Sequence, residues 1–138
     1  MQTPSFSKDF GLLILRVGIG LMLMLHGIPK LLGGPDGWEN LGQFGLPFLP
    51  EGFISIAFGF AAMASELAGG LLLAFGKYHR VVCASLAVTM AVALSTKLGD
   101  ATEITNFAKT AGWPLELLIV FVALFFTGPG RYSIGKKS

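Results

Sequence analysis

Residues 10–32 read FGLLILRVGIGLMLMLHGIPKLL, and this stretch decides the fold. It is apolar except for Arg16, His26 and Lys30, and its length lies within the roughly 17 to 25 residues that a helix needs to cross a bilayer. A signal peptide has only about 7 to 15 apolar residues before its cleavage site, and its apolar part carries no such charges. The stretch therefore predicts a retained transmembrane helix.

Three more apolar runs follow, at residues 53–75, 81–98 and 111–127. The 138-residue chain is 53% hydrophobic and only 13% charged, with a mean hydropathy of +0.70, which is too apolar for a soluble domain. We therefore predict one all-α transmembrane domain over residues 1–138, an antiparallel four-helix bundle whose first helix is residues 10–32.

Basic residues flank both ends of the chain and the short second connection, whereas the twenty-residue connection 33–52 has three acidic residues and no Lys or Arg. Because Lys and Arg mark the cytoplasmic side, both termini are predicted to be cytoplasmic and connection 33–52 to be an outer loop. This loop is long for a helical connection, so it either folds against the mouth of the bundle or acts as a lid.

Several chemistries are excluded by what the chain lacks. Its one cysteine, Cys83, cannot form the pair that thiol-based membrane enzymes cycle between dithiol and disulfide, and is predicted to be a small buried side chain. No metal-ligand spacing or nucleotide fingerprint is present. His26 and His79 fall on opposite sides of the predicted membrane, so they cannot both ligate one haem. His79 itself is predicted to lie at the surface. The scattered basic residues argue against nucleic-acid binding.

Two charges lie inside apolar runs, Arg16 in the first and Glu66 in the second. At ~1.5 Å per residue, Arg16 is about 9 Å from the cytoplasmic start of its helix and Glu66 about 14 Å from the cytoplasmic end of its own. We therefore predict that they pair. The pair is either part of a functional site or a structural contact, since an unpaired charge at this depth is costly.

Four more polar residues form a predicted outer group near the other membrane surface: His26, Lys30, Lys97 and Glu116. Together with Arg16 and Glu66 they are candidate ligand-binding or proton-relay residues in a polar pocket between helices. Simpler roles remain open, because lysines near an interface snorkel, a carboxylate in a first turn suits the helix dipole, and a lone histidine is often a core residue.

Small residues define the predicted contacts between helices. At ~100° per residue, the glycines of the first two helices share faces with Arg16 and Glu66, where neighbouring backbones approach closely. The third helix is thin, with alanine, serine and threonine around it. The predicted helix-packing glycines are Gly20, Gly27, Gly59, Gly69 and Gly70.

The order and spacing of these motifs resemble the DoxX family of small bacterial membrane proteins. The resemblance covers roughly residues 10–134, and the family's frequent acidic residue after the last motif is Gly135 here. The matching segments are LRVG at 15–18, HGIPKL at 26–31, ELAGGLL at 66–72, Glu116, and GPGRYS at 128–133.

The resemblance implies a multi-pass protein of the bacterial cytoplasmic (inner) membrane, with relatives in oxidoreductase assemblies such as thiosulfate:quinone oxidoreductase. We therefore predict a redox subunit or accessory protein that binds a quinone and needs a redox partner protein for catalysis, within the lipid bilayer and as a homo-oligomer. His26 would bond a carbonyl oxygen, Glu66 or Glu116 would pass the proton, and Arg16 would keep Glu66 ionised. Alternatives are a small-solute or proton transporter, or a structural or assembly factor without a ligand.

Overall fold

The computed structural model describes residues 6–99 and 103–134, and within them every regular element is helical. Four of the helical units are long and apolar enough to span a membrane, which confirms the predicted all-α, four-helix membrane fold. The side of the membrane that the termini face stays a prediction. The helices are α1 (Phe6–Leu32), α2 (Gly34–Gly45), α3 (Phe53–Phe75), α4 (His79–Leu98), α5 (Ile104–Phe107) and α6 (Trp113–Thr127), with a π-helical segment at Ala108–Gly112 between the last two.

The connection 33–52 contains helix α2, which lies directly against α3. A Cβ atom on Gly42 would collide with the carbonyl of Ser55, and one on Gly59 would collide with the carbonyl of Trp38. The Trp38 ring also packs edge-on against Phe60, with centroids 5.0 Å apart. The connection thus folds onto the bundle, as the first of the two alternatives expected.

Glycine ends α3 and allows a three-residue turn into α4. Gly76 adopts φ 72°, in the left-handed region, and its N–H donates to the carbonyl of Leu73 while the N–H of Lys77 donates to Leu72. This pattern satisfies carbonyls that the helix end leaves without partners. Because the turn is so short, α3 and α4 are antiparallel neighbours.

Glycines also set the register of α1 against α3. Gly20 approaches the backbone of Gly70, and Gly27 approaches the backbone of Leu67, so closely that a Cβ atom on either glycine would need its neighbours to move. Close backbone approach through small residues is the usual way membrane helices pack.

A single apolar core joins α1, α3, α4 and α6 among the described residues. It includes Leu23, Leu86 and Phe121, and the fully buried Cys83 lies in it as predicted. Large apolar side chains such as Ile119, which is 60% exposed, cover the outside. That distribution suits a surface that contacts lipid tails.

Candidate functional site

Glu66 is paired with Lys30. The Lys30 Nζ lies 2.5 Å from both carboxylate oxygens of Glu66, whose side chain is 3% exposed while that of Lys30 is 29% exposed. The indole of Trp38 donates to the backbone carbonyl of Lys30 at 2.9 Å, which ties α2 to the same point. A buried carboxylate is thus balanced by a cation that reaches it from the adjacent helix.

The predicted pairing of Arg16 with Glu66 is wrong. Arg16 is fully buried, and its guanidinium donates to backbone carbonyls instead. Nη1 lies 3.5 Å from the oxygen of Leu73 and 3.2 Å from that of Ala74, and Nη2 lies 2.7 Å from that of Tyr132.

The register between α1 and α3 explains this difference. With Gly27 level with Leu67, Glu66 lies level with about residue 28 of α1, roughly 18 Å along the helix from Arg16 at 1.5 Å per residue. Helix α1 starts at Phe6 and runs past the end of α3, so Arg16 lies beside Gly76. The predicted depths were counted from the end of each helix. Such depths are comparable only when the two helix ends lie at the same height in the membrane, and the ends of α1 and α3 do not.

Arg16 therefore caps the C-terminal end of α3. The last carbonyls of a helix have no partner within it and carry the negative end of the helix dipole, which a guanidinium neutralises. The same side chain holds the segment after α6 through Tyr132, and the N–H of Ile134 donates to the carbonyl of Phe75 beside it. In the described part of the chain, Arg16 Nε has no partner.

His79 is buried, so its predicted surface position is wrong. Only 5% of it is exposed, its Nε2 donates to the carbonyl of Leu124 at 2.8 Å, and Cys83 Sγ lies 3.7 Å from the same nitrogen. Helix α4 begins at His79, two residues earlier than expected, and its first turn faces the core. The spacing of four between His79 and the buried Cys83 was a signal that both share one helix face.

The predicted outer group does not converge on one pocket. His26 is exposed, its Nδ1 donates to the carbonyl of Met22 at 2.8 Å, and its ring stacks on Trp113 with centroids 5.1 Å apart. Lys97 Nζ lies 5.3 Å from the centre of the Phe44 ring. Glu116 is exposed and has no ion pair or hydrogen bond within the described residues. Of the six candidate residues, only Lys30 and Glu66 bond to each other.

A large cavity lies elsewhere, between α2, α3 and α4, with a volume of about 710 Å³. We call it the hydroxyl cleft, because three hydroxyl side chains lie in an otherwise mostly apolar wall. None of the six candidate residues lines it. Its lining includes Leu41, Gly42, Phe58, Ala61, Ala62, Ser65, Arg80, Ala84, Ser85, Thr89 and Phe125.

The three hydroxyls form one hydrogen-bonded cluster. Thr89 Oγ1 lies 3.1 Å from Ser65 Oγ and 3.0 Å from the carbonyl of Ser85, and the two serine hydroxyls are 3.0 Å apart. Three hydroxyls carry three hydrogens. The three contacts can use all three of them, so a ligand would bond to a serine hydroxyl in exchange for one contact of the cluster.

Charge-based reasoning missed this cleft because its wall carries few charges. The signal that was available is the small size of its lining, since Ala61, Ala62 and Ala84 leave space that larger side chains would fill. The predicted third helix, which carries mostly small side chains, corresponds to α4, and α4 does line the cleft. The position of α2 over it came only from the tertiary structure.

Comparison of the sequence with known proteins identifies the family of this chain. The family model described as DoxX matches residues 11–99. A Bacillus subtilis (strain 168) protein named "Putative oxidoreductase CatD" is 32% identical over 122 residues, which cover 88% of this chain and 82% of that protein. No solved structure gives a significant match. This chain is a multi-pass membrane protein that belongs to the DoxX family.

Proposed function

We propose that the chain is a membrane subunit or accessory protein of a redox system and that it binds a quinone-like ligand in the hydroxyl cleft. The observation that carries this proposal is a cleft of about 710 Å³ with a cluster of three hydroxyls in an otherwise mostly apolar wall. The similarity to a protein named as an oxidoreductase supports the redox assignment. The proposal includes a location in the bacterial cytoplasmic membrane, a redox partner protein and self-association.

The cleft suits such a ligand in size and chemistry. Small-molecule sites are usually about 300–1,000 Å³, mostly apolar, with a few polar groups that fix orientation. The hydroxyl of Ser65 or Ser85 donates to a quinone carbonyl in place of its contact within the cluster, and the same oxygen accepts from the hydroxyl of the reduced form. Phe58 and Phe125 provide aromatic contacts for the ring.

In this scheme the chain holds and orients the ligand, and the partner protein supplies the electrons. The polar pair Lys30–Glu66 lies outside the cleft lining, so it acts on the helix packing rather than on the ligand.

A structural or assembly role without a ligand is the alternative. Two observations favour it: Arg16 bonds only to backbone carbonyls, and the carboxylate of Glu66 is fully occupied by Lys30. Both charges can therefore be explained by helix packing alone.

Binding of a short-chain quinone to the protein in lipid nanodiscs separates the two functions. We expect saturable binding that weakens at least about tenfold when Ser65→Ala and Ser85→Ala are combined, because a lost hydrogen bond costs about 1 to 2 kcal/mol. Ala84→Phe, which fills the cleft, should abolish binding.

Ser95→Ala is the matched control, because Ser95 is exposed on α4 and its hydroxyl donates only to the carbonyl of Val92. It should leave the affinity unchanged. A wild-type protein that binds no quinone, or an Ala84→Phe variant that binds as tightly as the wild type, would favour the assembly role.

A further inference from the structure

One surface of the bundle exposes ionisable side chains within membrane-spanning segments. We call it the α1–α6 face and define it by His26 of α1 and by Trp113 and Glu116 of α6. His26 and Glu116 are both exposed, and Trp113 is 42% exposed. Ionisable side chains at membrane depth almost always face the interior of a bundle or pair with one another. This face therefore needs a partner.

The hydrogen bonding of His26 defines what it offers to that partner. Its Nδ1 lies 2.8 Å from the carbonyl of Met22, and a carbonyl can only accept, so Nδ1 carries a hydrogen. Nε2 is left to bond outward. Stacking on Trp113, with the two rings 24° from parallel, holds the imidazole in this orientation.

Glu116 lies close to His26 in both direction and depth. Glu116 is three positions after Trp113, so it lies about 60° around α6 and about 4.5 Å along it from the indole that stacks on His26. No other described side chain forms an ion pair or hydrogen bond with its carboxylate. Each chain thus presents one imidazole nitrogen and one carboxylate at nearly the same level.

We propose that the α1–α6 face is the interface between two copies of this chain, with His26 of each copy bonded to Glu116 of the other. Two copies inserted in the same orientation are related by a two-fold axis along the membrane normal, and a two-fold interface brings the same patch of each subunit together. One shared proton joins each imidazole to the opposite carboxyl group. Both polar groups of both chains are then satisfied.

Charge complementarity selects a second copy as the occupant. The face carries both members of a bonding pair, so the same face on another copy matches it, whereas lipid tails would satisfy neither group. The interface rests on the proposed self-association and not on ligand binding, because none of its three residues lines the hydroxyl cleft.

Reciprocal charge variants test the interface. Two chains carry different affinity tags, one with His26→Glu and the other with Glu116→His. Each variant alone should associate at least about tenfold more weakly than the wild type, because its interface places like groups together. Co-expressed in one membrane, the two variants should copurify as a mixed pair, since every contact across the axis then joins a carboxylate to an imidazole.

The controls separate the possible failures. Glu103→His changes the same kind of charge outside the face and should leave association unchanged. Wild-type protein that is monomeric in nanodiscs by mass photometry would overturn the proposed self-association. Wild-type pairing that persists in each variant alone would place the interface elsewhere, and variants that fail both alone and together would show that His26 and Glu116 do not bond across the axis. An unchanged thermal melting temperature in nanodiscs shows that a variant is folded.

Discussion

A buried charge is stabilised in different ways at the two ends of the bundle. Near the chain termini, Arg16 is fully buried and all its bonds go to backbone carbonyls. Near α2, Glu66 is 3% exposed and bonds to the side chain of Lys30. A membrane helix can therefore stabilise a cation with the end of another helix. Glu66 lies in the interior of α3, where the backbone N–H groups are already bonded within the helix, so its carboxylate needs a donor side chain.

This comparison predicts that the loss of Arg16 is the most damaging change. Arg16→Met leaves the carbonyls of Leu73, Ala74 and Tyr132 without its donors, and should lower the free energy of unfolding in bicelles by about 3 to 5 kcal/mol. Arg131→Met is the control, because Arg131 is exposed, and it should cost under about 0.5 kcal/mol. Equal costs for the two variants would show that Arg16 does not cap α3.

The Lys30–Glu66 pair should respond asymmetrically to the loss of either partner. Lys30→Met leaves the buried carboxylate of Glu66 without its partner and should lower the free energy of unfolding by about 3 kcal/mol. Glu66→Gln leaves a lysine that is 29% exposed and can reach the membrane surface, so we expect about 1 kcal/mol. The same unfolding measurement distinguishes the two.

The double variant Lys30→Met with Glu66→Leu should recover most of the stability that Lys30→Met loses, because no buried charge remains. A double variant as unstable as Lys30→Met alone would mean that the packing around these side chains, and not the charge, sets the cost.

An effect no larger than that of Lys30→Met concerns the contact of α2 with α3 at the Glu66 end. Gly59→Ala places a Cβ atom against the carbonyl of Trp38, so α2 must shift, and we expect a loss of about 1 to 3 kcal/mol in unfolding free energy. Gly18→Ala is the control, because no atom lies within 4 Å of its Cβ position. A Gly59→Ala variant as stable as the control would show that α2 is loosely held.

How far sequence reasoning reached depended on the kind of signal. The apolar runs and the composition predicted an all-α fold with four membrane helices, which the structure confirms. The spacing of charges also identified Arg16 and Glu66 as side chains that must be stabilised at depth. The identity of their partners did not follow, because a partner depends on the register between helices, and the ends of α1 and α3 are not level.

For the candidate site too, the sequence did not determine which side chains lie together. His26, Glu116 and Lys97 were grouped by depth alone, whereas their distribution around the bundle depends on how the helices are rotated against one another. Because the lining of the hydroxyl cleft carries little charge, the small side chains of α4 were the one feature of the sequence that indicated it.

The sequence by itself determined the number of membrane helices and the need to stabilise two buried charges, because hydrophobic length and the cost of a charge in hydrocarbon act locally along the chain. Only the tertiary structure decided that Arg16 binds carbonyls, that Lys30 binds Glu66 and that α2 closes one side of a cleft. These outcomes follow from glycine contacts such as Gly20 on Gly70, which fix how far one helix slides along the next.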